Sequence, residues 1–113
     1  MVRAPEPIMD RIATLRSFAA QQPEQPFPLY ALALEYKKLG QLAEARATFA
    51  DLLARFPDYL PAYLMAGGVL STLGDRAEAE KVYREGIVRA GRQGDGHARG
   101  ELEGALAALD LPE

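Results

Sequence analysis

One pattern of residues recurs in this sequence at an interval of 34. Leu39-Gly40 returns as Leu73-Gly74, and at the same offset Ala45 pairs with Ala79, Phe49 with Tyr83, Glu44 with Glu78 and Ala33 with Gly67. Small residues match small, aromatic match aromatic, and turn matches turn. A fixed period of this length means that each unit is one piece of supersecondary structure. Such a unit cannot bury its apolar face alone, so neighbouring units stack and share a continuous core.

Within each period the spacing is helical. Leu29, Leu32, Ala33 and Tyr36 fall at i, i+3, i+4 and i+7, and Ala45, Phe49, Leu52 and Phe56 follow the same pattern with small drifts. Breakers divide the chain at Pro23 to Pro28, Leu39-Gly40, Pro57 to Pro61, Leu73-Gly74 and Gly91 to Gly96. No segment alternates with period two under β-branched enrichment, so strands are not expected. The pattern predicts an all-α chain with six helices, near residues 7–21, 27–39, 42–56, 60–73, 76–90 and 95–109.

The stretch Leu29-x-x-Leu32-Ala33-x-x-Tyr36, followed by Gly40, Ala45, Phe49 and Pro57, resembles the motif of the tetratricopeptide-repeat family. The usual tryptophan of that motif is Leu29 here, and its usual Leu-Gly pair is Leu32-Ala33. A second copy fits at Tyr63, Ala66-Gly67, Leu70, Gly74, Ala79 and Tyr83. Gly91 stands where the motif closes with proline, a place where glycine can end a helix in the left-handed conformation. Sliding the register backward sets Leu15, Phe18 and Pro23 opposite Phe49, Leu52 and Pro57. Arg11 then falls where Ala45 and Ala79 sit, so that element is expected to be exposed or diverged. Sliding it forward gives a closing helix with Ala98, Leu102, Ala105, Leu106 and Leu109 on one face.

The resemblance, to small bacterial members of the family, implies a right-handed solenoid of antiparallel helix pairs. Its expected divisions are a flexible N-terminus at 1–6, one domain at 7–109 and a tail at 110–113. The domain divides into a degenerate half-repeat at 7–25, repeats at 26–59 and 60–93, and a capping helix at 94–109. By resemblance, Ala33 and Gly67 lie where the two helices of a repeat pass closest, with Ala45 and Ala79 opposite. A larger side chain there would overpack the contact at about 1–3 kcal/mol. Asp75-Arg76-Ala77-Glu78 has the residues of a capping box, and Asp95 those of an N-cap. Gly86, Gly100 and Gly104 each weaken a helix by about 1 kcal/mol relative to alanine, so the last helix should be the least stable.

Composition narrows the function classes. The 113 residues carry a net charge of −3, and neither half is strongly basic: seven Lys/Arg face six Asp/Glu up to residue 56, and six face ten beyond it. Binders of nucleic acid concentrate positive charge on one face, so none is expected as a partner. There is no cysteine, which excludes thiolate sites and disulfides and fits a reducing compartment. The N-terminal Met-Val-Arg-Ala-Pro-Glu-Pro has no apolar run behind it to form a signal peptide, and no stretch is apolar enough for a membrane span. A cytoplasmic location is expected.

His97 is the single histidine, with Glu101 one turn on and Asp95 nearby. One histidine makes a poor metal site and a poor acid–base centre, so it reads as a solvated residue near a helix start. The Gly91-Arg92-Gln93-Gly94-Asp95-Gly96 run follows a helix rather than a strand and lacks the Gly-Lys-Ser/Thr ending of a phosphate loop. Neither enzymatic activity nor a cofactor is expected.

In the family this chain resembles, the first helix of each repeat lines a concave peptide groove. By register the groove residues are Phe27, Tyr30, Leu34, Lys37 and Lys38, then Pro61, Leu64, Met65, Gly68, Ser71 and Thr72, with Arg99 from the capping helix. They would make an apolar floor with a basic end, unless part of the strip is packed under neighbouring helices. The family's clamp for a C-terminal carboxylate is not matched. Tyr30, Leu34, Met65 and Asp95 occupy its polar and basic places, and Arg99 alone agrees. The expected function is a non-catalytic adaptor that binds a protein or peptide. The alternative is a self-association module, a homodimer being one form.

Overall fold

The computed structural model describes residues 7–111, with residues 7–10 described as backbone only. The expectations for residues 1–6 and for the last two residues of the tail lie outside the described residues. Six helices are present among them: α1 (Pro7–Gln21), α2 (Pro26–Lys38), α3 (Leu42–Arg55), α4 (Pro61–Thr72), α5 (Arg76–Gln93) and α6 (Gly96–Ala108).

Local chemistry sets the ends of these helices. Pro26 and Pro61 open α2 and α4, where a fixed φ suits the first turn and the missing N–H would have no partner anyway. Asp75 and Asp95 cap α5 and α6, accepting from the backbone N–H of Glu78 at 3.2 Å and of Ala98 at 2.9 Å. Three helices close on a left-handed glycine: Gly40 (φ +77°), Gly74 (φ +86°) and Gly94 (φ +71°). In each case the next N–H reaches back over the glycine, Gln41 to the Tyr36 carbonyl, Asp75 to Leu70 and Asp95 to Ala90, all at 2.9 Å. The third closure corrects the sequence-based end of α5. Gly91 stays helical, and the left-handed turn falls at Gly94, directly before the capping Asp95.

Ala33, Ala45 and Ala79 have no solvent exposure, as close helix crossings demand. A Cβ at Gly67 would lie 2.2 Å from Cε1 of Tyr83, so only glycine lets that ring cross the helix. Gly86 is a second such place and corrects the expectation that it merely weakens α5. A Cβ there would lie 2.8 Å from Cβ of Tyr63 and 3.0 Å from Leu102. Two clusters of buried side chains result, one centred on Phe49 and Leu52, the other on Tyr83 and Leu102.

The helices stack in a curved array. α2 packs on α3 and α4 on α5, forming the two full repeats, while α1 packs on α2 alone and α6 packs on α5 and α4. Along one side α2 touches α4 and α4 touches α6; along the other, α1, α3 and α5 do not touch. The array therefore converges inward and splays outward, over extents of 55 × 35 × 20 Å. α4 is the hub, packed against α2, α3, α5 and α6, and it carries no charged residue. Arg11, the residue that breaks the register, directs its Nε at 3.0 Å to the carboxylate of Glu35, the one buried charged residue of the described chain. Arg16 adds a bond from Nε to the Tyr36 hydroxyl at 3.1 Å.

Candidate functional site

The inner side of the array is built from the accessible stripes of α2 and α4. On α2, Phe27, Lys37 and Lys38 are exposed and Tyr30 and Leu34 half-buried; on α4, Pro61, Ser71 and Thr72 are exposed and Leu64, Met65 and Gly68 half-buried. Both helices thus present the same register positions, spaced three and four apart, as one helix face requires. Leu34 and Met65 lean on the first core cluster and Leu64 on the second, so the stripe is a rim of the core rather than a separate feature. A Cβ at Gly68 would meet nothing within 4 Å, which leaves a shallow place between the larger side chains.

Tyr30 is held by its edges. Its ring meets Tyr59 at 5.3 Å and Phe49 at 6.4 Å, both in tilted, edge-on geometry. Burial, then the neighbouring Tyr59, raises the Tyr30 hydroxyl above its ordinary value, and burial does the same for Tyr59. Both phenols stay protonated at physiological pH and offer a hydroxyl for hydrogen bonding, not a base. Lys37 and Lys38 complete the last turn of α2, where positive charge is favoured, and neither forms an ion pair with a described residue.

Arg99 does not join this stripe. The packing of Ala98, Leu102 and Ala105 against the second cluster turns it toward α5. Its Nε donates to Glu103 at 3.1 Å, and its Nη1 lies 3.9 Å from where a Cβ of Gly91 would be. α6 does not touch α2. His97 is exposed, with Nε2 3.7 Å from a Glu101 carboxylate oxygen. Among the described residues no three His, Asp or Glu side chains converge as metal ligands.

A concavity that the register positions do not mark lies on the outer side. Because α3 and α5 splay apart, a cleft of about 560 Å³ opens between them over α4. Its floor is apolar, with Phe49, Leu53, Tyr63, Ala66, Leu70 and Val82. Its charged rim is largely self-paired: Arg46 holds Asp75 at 2.9 Å, and Arg89 holds Glu85 at 2.8 Å and Asp58 at 3.0 Å. The sequence signal was the exposed Ala50 and Ala54 on α3, too small to fill the gap.

Comparison with known proteins gives the architecture its family. The tetratricopeptide-repeat family model matches residues 36–93. A tetratricopeptide repeat domain protein from Salinibacter ruber, solved in solution, is 33% identical over 80% of this chain and 92% of its own, with a TM-score of 0.75. The chain belongs to the tetratricopeptide-repeat family. The crystal structure of the Salinibacter ruber tetratricopeptide-repeat domain agrees, at 31% identity over 79% of this chain and 99% of that one, with a TM-score of 0.73. A protein from Bordetella parapertussis is 26% identical over 87% of this chain and 85% of its own, with a TM-score of 0.73. No curated protein matches the sequence significantly. Tetratricopeptide repeats in general mediate protein–protein interaction, and proteins of the family are typically non-enzymatic adaptors. None of the helices described in this tetratricopeptide-repeat chain is long and apolar enough to cross a membrane.

Proposed function

We propose that this chain is a non-catalytic, cytoplasmic adaptor that holds a short peptide segment of a partner protein on the α2/α4 face. The observation that carries the proposal is the matched accessible stripe: half-buried Tyr30, Leu34, Leu64 and Met65 with exposed Lys37 and Lys38 at one end. An apolar strip with a basic end favours a ligand whose apolar anchors are flanked by acidic residues, since charge complementarity steers encounter and fixes register. Methionine and the open place at Gly68 let the floor adapt to the anchor. Only two complete repeats contribute, so the affinity is modest, with Kd on the order of micromolar. The absence of cysteine supports a reducing compartment, and the net charge of −3 speaks against nucleic acid as the partner.

Selection from a random peptide library tests the proposal. Enriched peptides should pair apolar anchors with Asp or Glu, and Leu64→Glu should abolish their binding with the melting point nearly unchanged. Lys37→Glu with Lys38→Glu should weaken binding most at low salt, where screening is least. Binding that survives Leu64→Glu in a folded protein would move the site off this face, and the outer cleft would be tested next.

A further inference from the structure

Three aromatic side chains gather at the end of the α2/α4 face away from its lysines. Phe27 and Tyr30 lie three apart on α2, and so on one side of the helix. The third, Tyr59, comes from the link between α3 and α4, outside the two helices whose register marks the face. Its ring meets that of Tyr30 edge-on, with centroids 5.3 Å apart and planes at 68°. Phe27 is 63% exposed, the highest fraction among the large apolar side chains of the six helices. A single exposed ring needs no explanation, but adjoining aromatics make a patch.

The two phenols at this end are donors with no acceptor among the described residues. The hydroxyl of Tyr36 accepts from Arg16 and that of Tyr63 donates to the Pro57 carbonyl, whereas those of Tyr30 and Tyr59 bond to no described residue. Among the described residues no buried polar side-chain atom lacks a partner, so both hydroxyls reach solvent. Burial raises both, Tyr59 adds to the rise at Tyr30, and no charged group shifts either. They remain neutral O–H donors in an aromatic setting. A carboxylate there would lose hydration with no cation to hold it, so a neutral carbonyl suits the pair better.

We propose that this aromatic end takes a proline of the partner segment, its ring packed on Phe27 and Tyr30 and an adjoining backbone carbonyl accepting from the tyrosine hydroxyls. Proline has no N–H, so its apolar ring leaves no donor unpaired against the aromatic surface. It also pre-sets the polyproline II conformation, whose carbonyls stay free for outside donors and which docks in aromatic-lined grooves at low entropic cost. The proposal rests on the peptide-binding reading of this face and adds the class of segment bound. The lysines set the register. Tyr30 and Lys37 are seven residues apart on α2, about 10 Å along its axis. Polyproline II covers that distance in roughly three residues, at about 3.1 Å each. The segment therefore carries an acidic residue about three positions from the proline, where Lys37 and Lys38 meet it.

Calorimetric titration with two acetylated, amidated peptides tests this: Pro-Pro-Leu-Ala-Asp-Asp and its counterpart with alanine for both prolines. Each is also made in reverse order, so that both chain directions are covered. In one direction the proline peptide should bind about tenfold more tightly than the alanine peptide. Phe27→Ala should abolish that preference. Tyr30→Phe with Tyr59→Phe keeps the rings and should weaken the proline peptide about fivefold, the share of one hydrogen bond. Both variants should melt near the unmodified chain, since Phe27 is exposed and the two hydroxyls have no described partner to lose. Equal binding of the proline and alanine peptides overturns the proposal, as does a preference that survives Phe27→Ala. A peptide with lysine for both prolines that binds as tightly would make the rings a cation site and overturn it too. The two readings fail separately. Binding without a proline preference that Leu64→Glu abolishes keeps the face and sinks the proline. A preference that follows Phe27 but ignores Leu64→Glu keeps the proline and moves the apolar floor.

Discussion

Glycine plays opposite parts at different positions of this chain. Gly67 lies under the ring of Tyr83, and a methyl group there would lie 2.2 Å from Cε1. Gly67→Ala should therefore destabilise by about 1–3 kcal/mol in chemical denaturation. Gly104 is helical with open space around it, so Gly104→Ala should stabilise by up to about 1 kcal/mol. The role of Gly67 was legible because its register mate is Ala33, another small residue. That of Gly86 was not, because its mate is Leu52. The packing explains the mismatch: Tyr63 and Gly86 replace Leu29 and Leu52, so a large–small pair fills the place of two medium side chains. A one-position comparison misses such an exchange; a comparison of contacting pairs finds it.

Among the helices, α1 and α6 have the least holding them, each burying one side chain among the described residues, Ile12 and Leu102. α6 also contains Gly100 and Gly104. Amide exchange should be faster across α6 than across α3, whose Ala45, Phe49 and Leu52 are enclosed. Equal protection would show that α6 is fully integrated. Asp95→Ala removes the cap at its start, which should cost about 1 kcal/mol and speed exchange in α6 first. The six helices were readable from periodicity and breakers, yet the end of α5 was placed three residues short. Three glycines compete in that segment, at 91, 94 and 96. The deciding signal was the Gly-Asp pair, which closes one helix and caps the next at Gly74-Asp75 and again at Gly94-Asp95.

The array as a whole followed from the 34-residue period, because the period is a statement about buried faces. The candidate site was only half legible for the same reason. The stripe on α2 and α4 is what remains when the buried positions are subtracted. The outer cleft depends on how far α3 and α5 splay, and no spacing encodes that distance. Nor did the register foresee that Arg99 turns toward α5. Since α4 takes part in both core clusters, the two should unfold together, in one transition by circular dichroism and by tyrosine fluorescence. Two resolved transitions would show that the repeats are separable. The position of α4 also has a consequence during synthesis. When Thr72 leaves the ribosome, α2 and α3 can already cover one side of this uncharged helix, but residues 73–108, which cover the other, have still to emerge. Until they do, a bare apolar flank faces the cell. A nascent-chain chaperone has its opening then, and neighbouring polysome chains have their chance to exchange the α5–α6 segment.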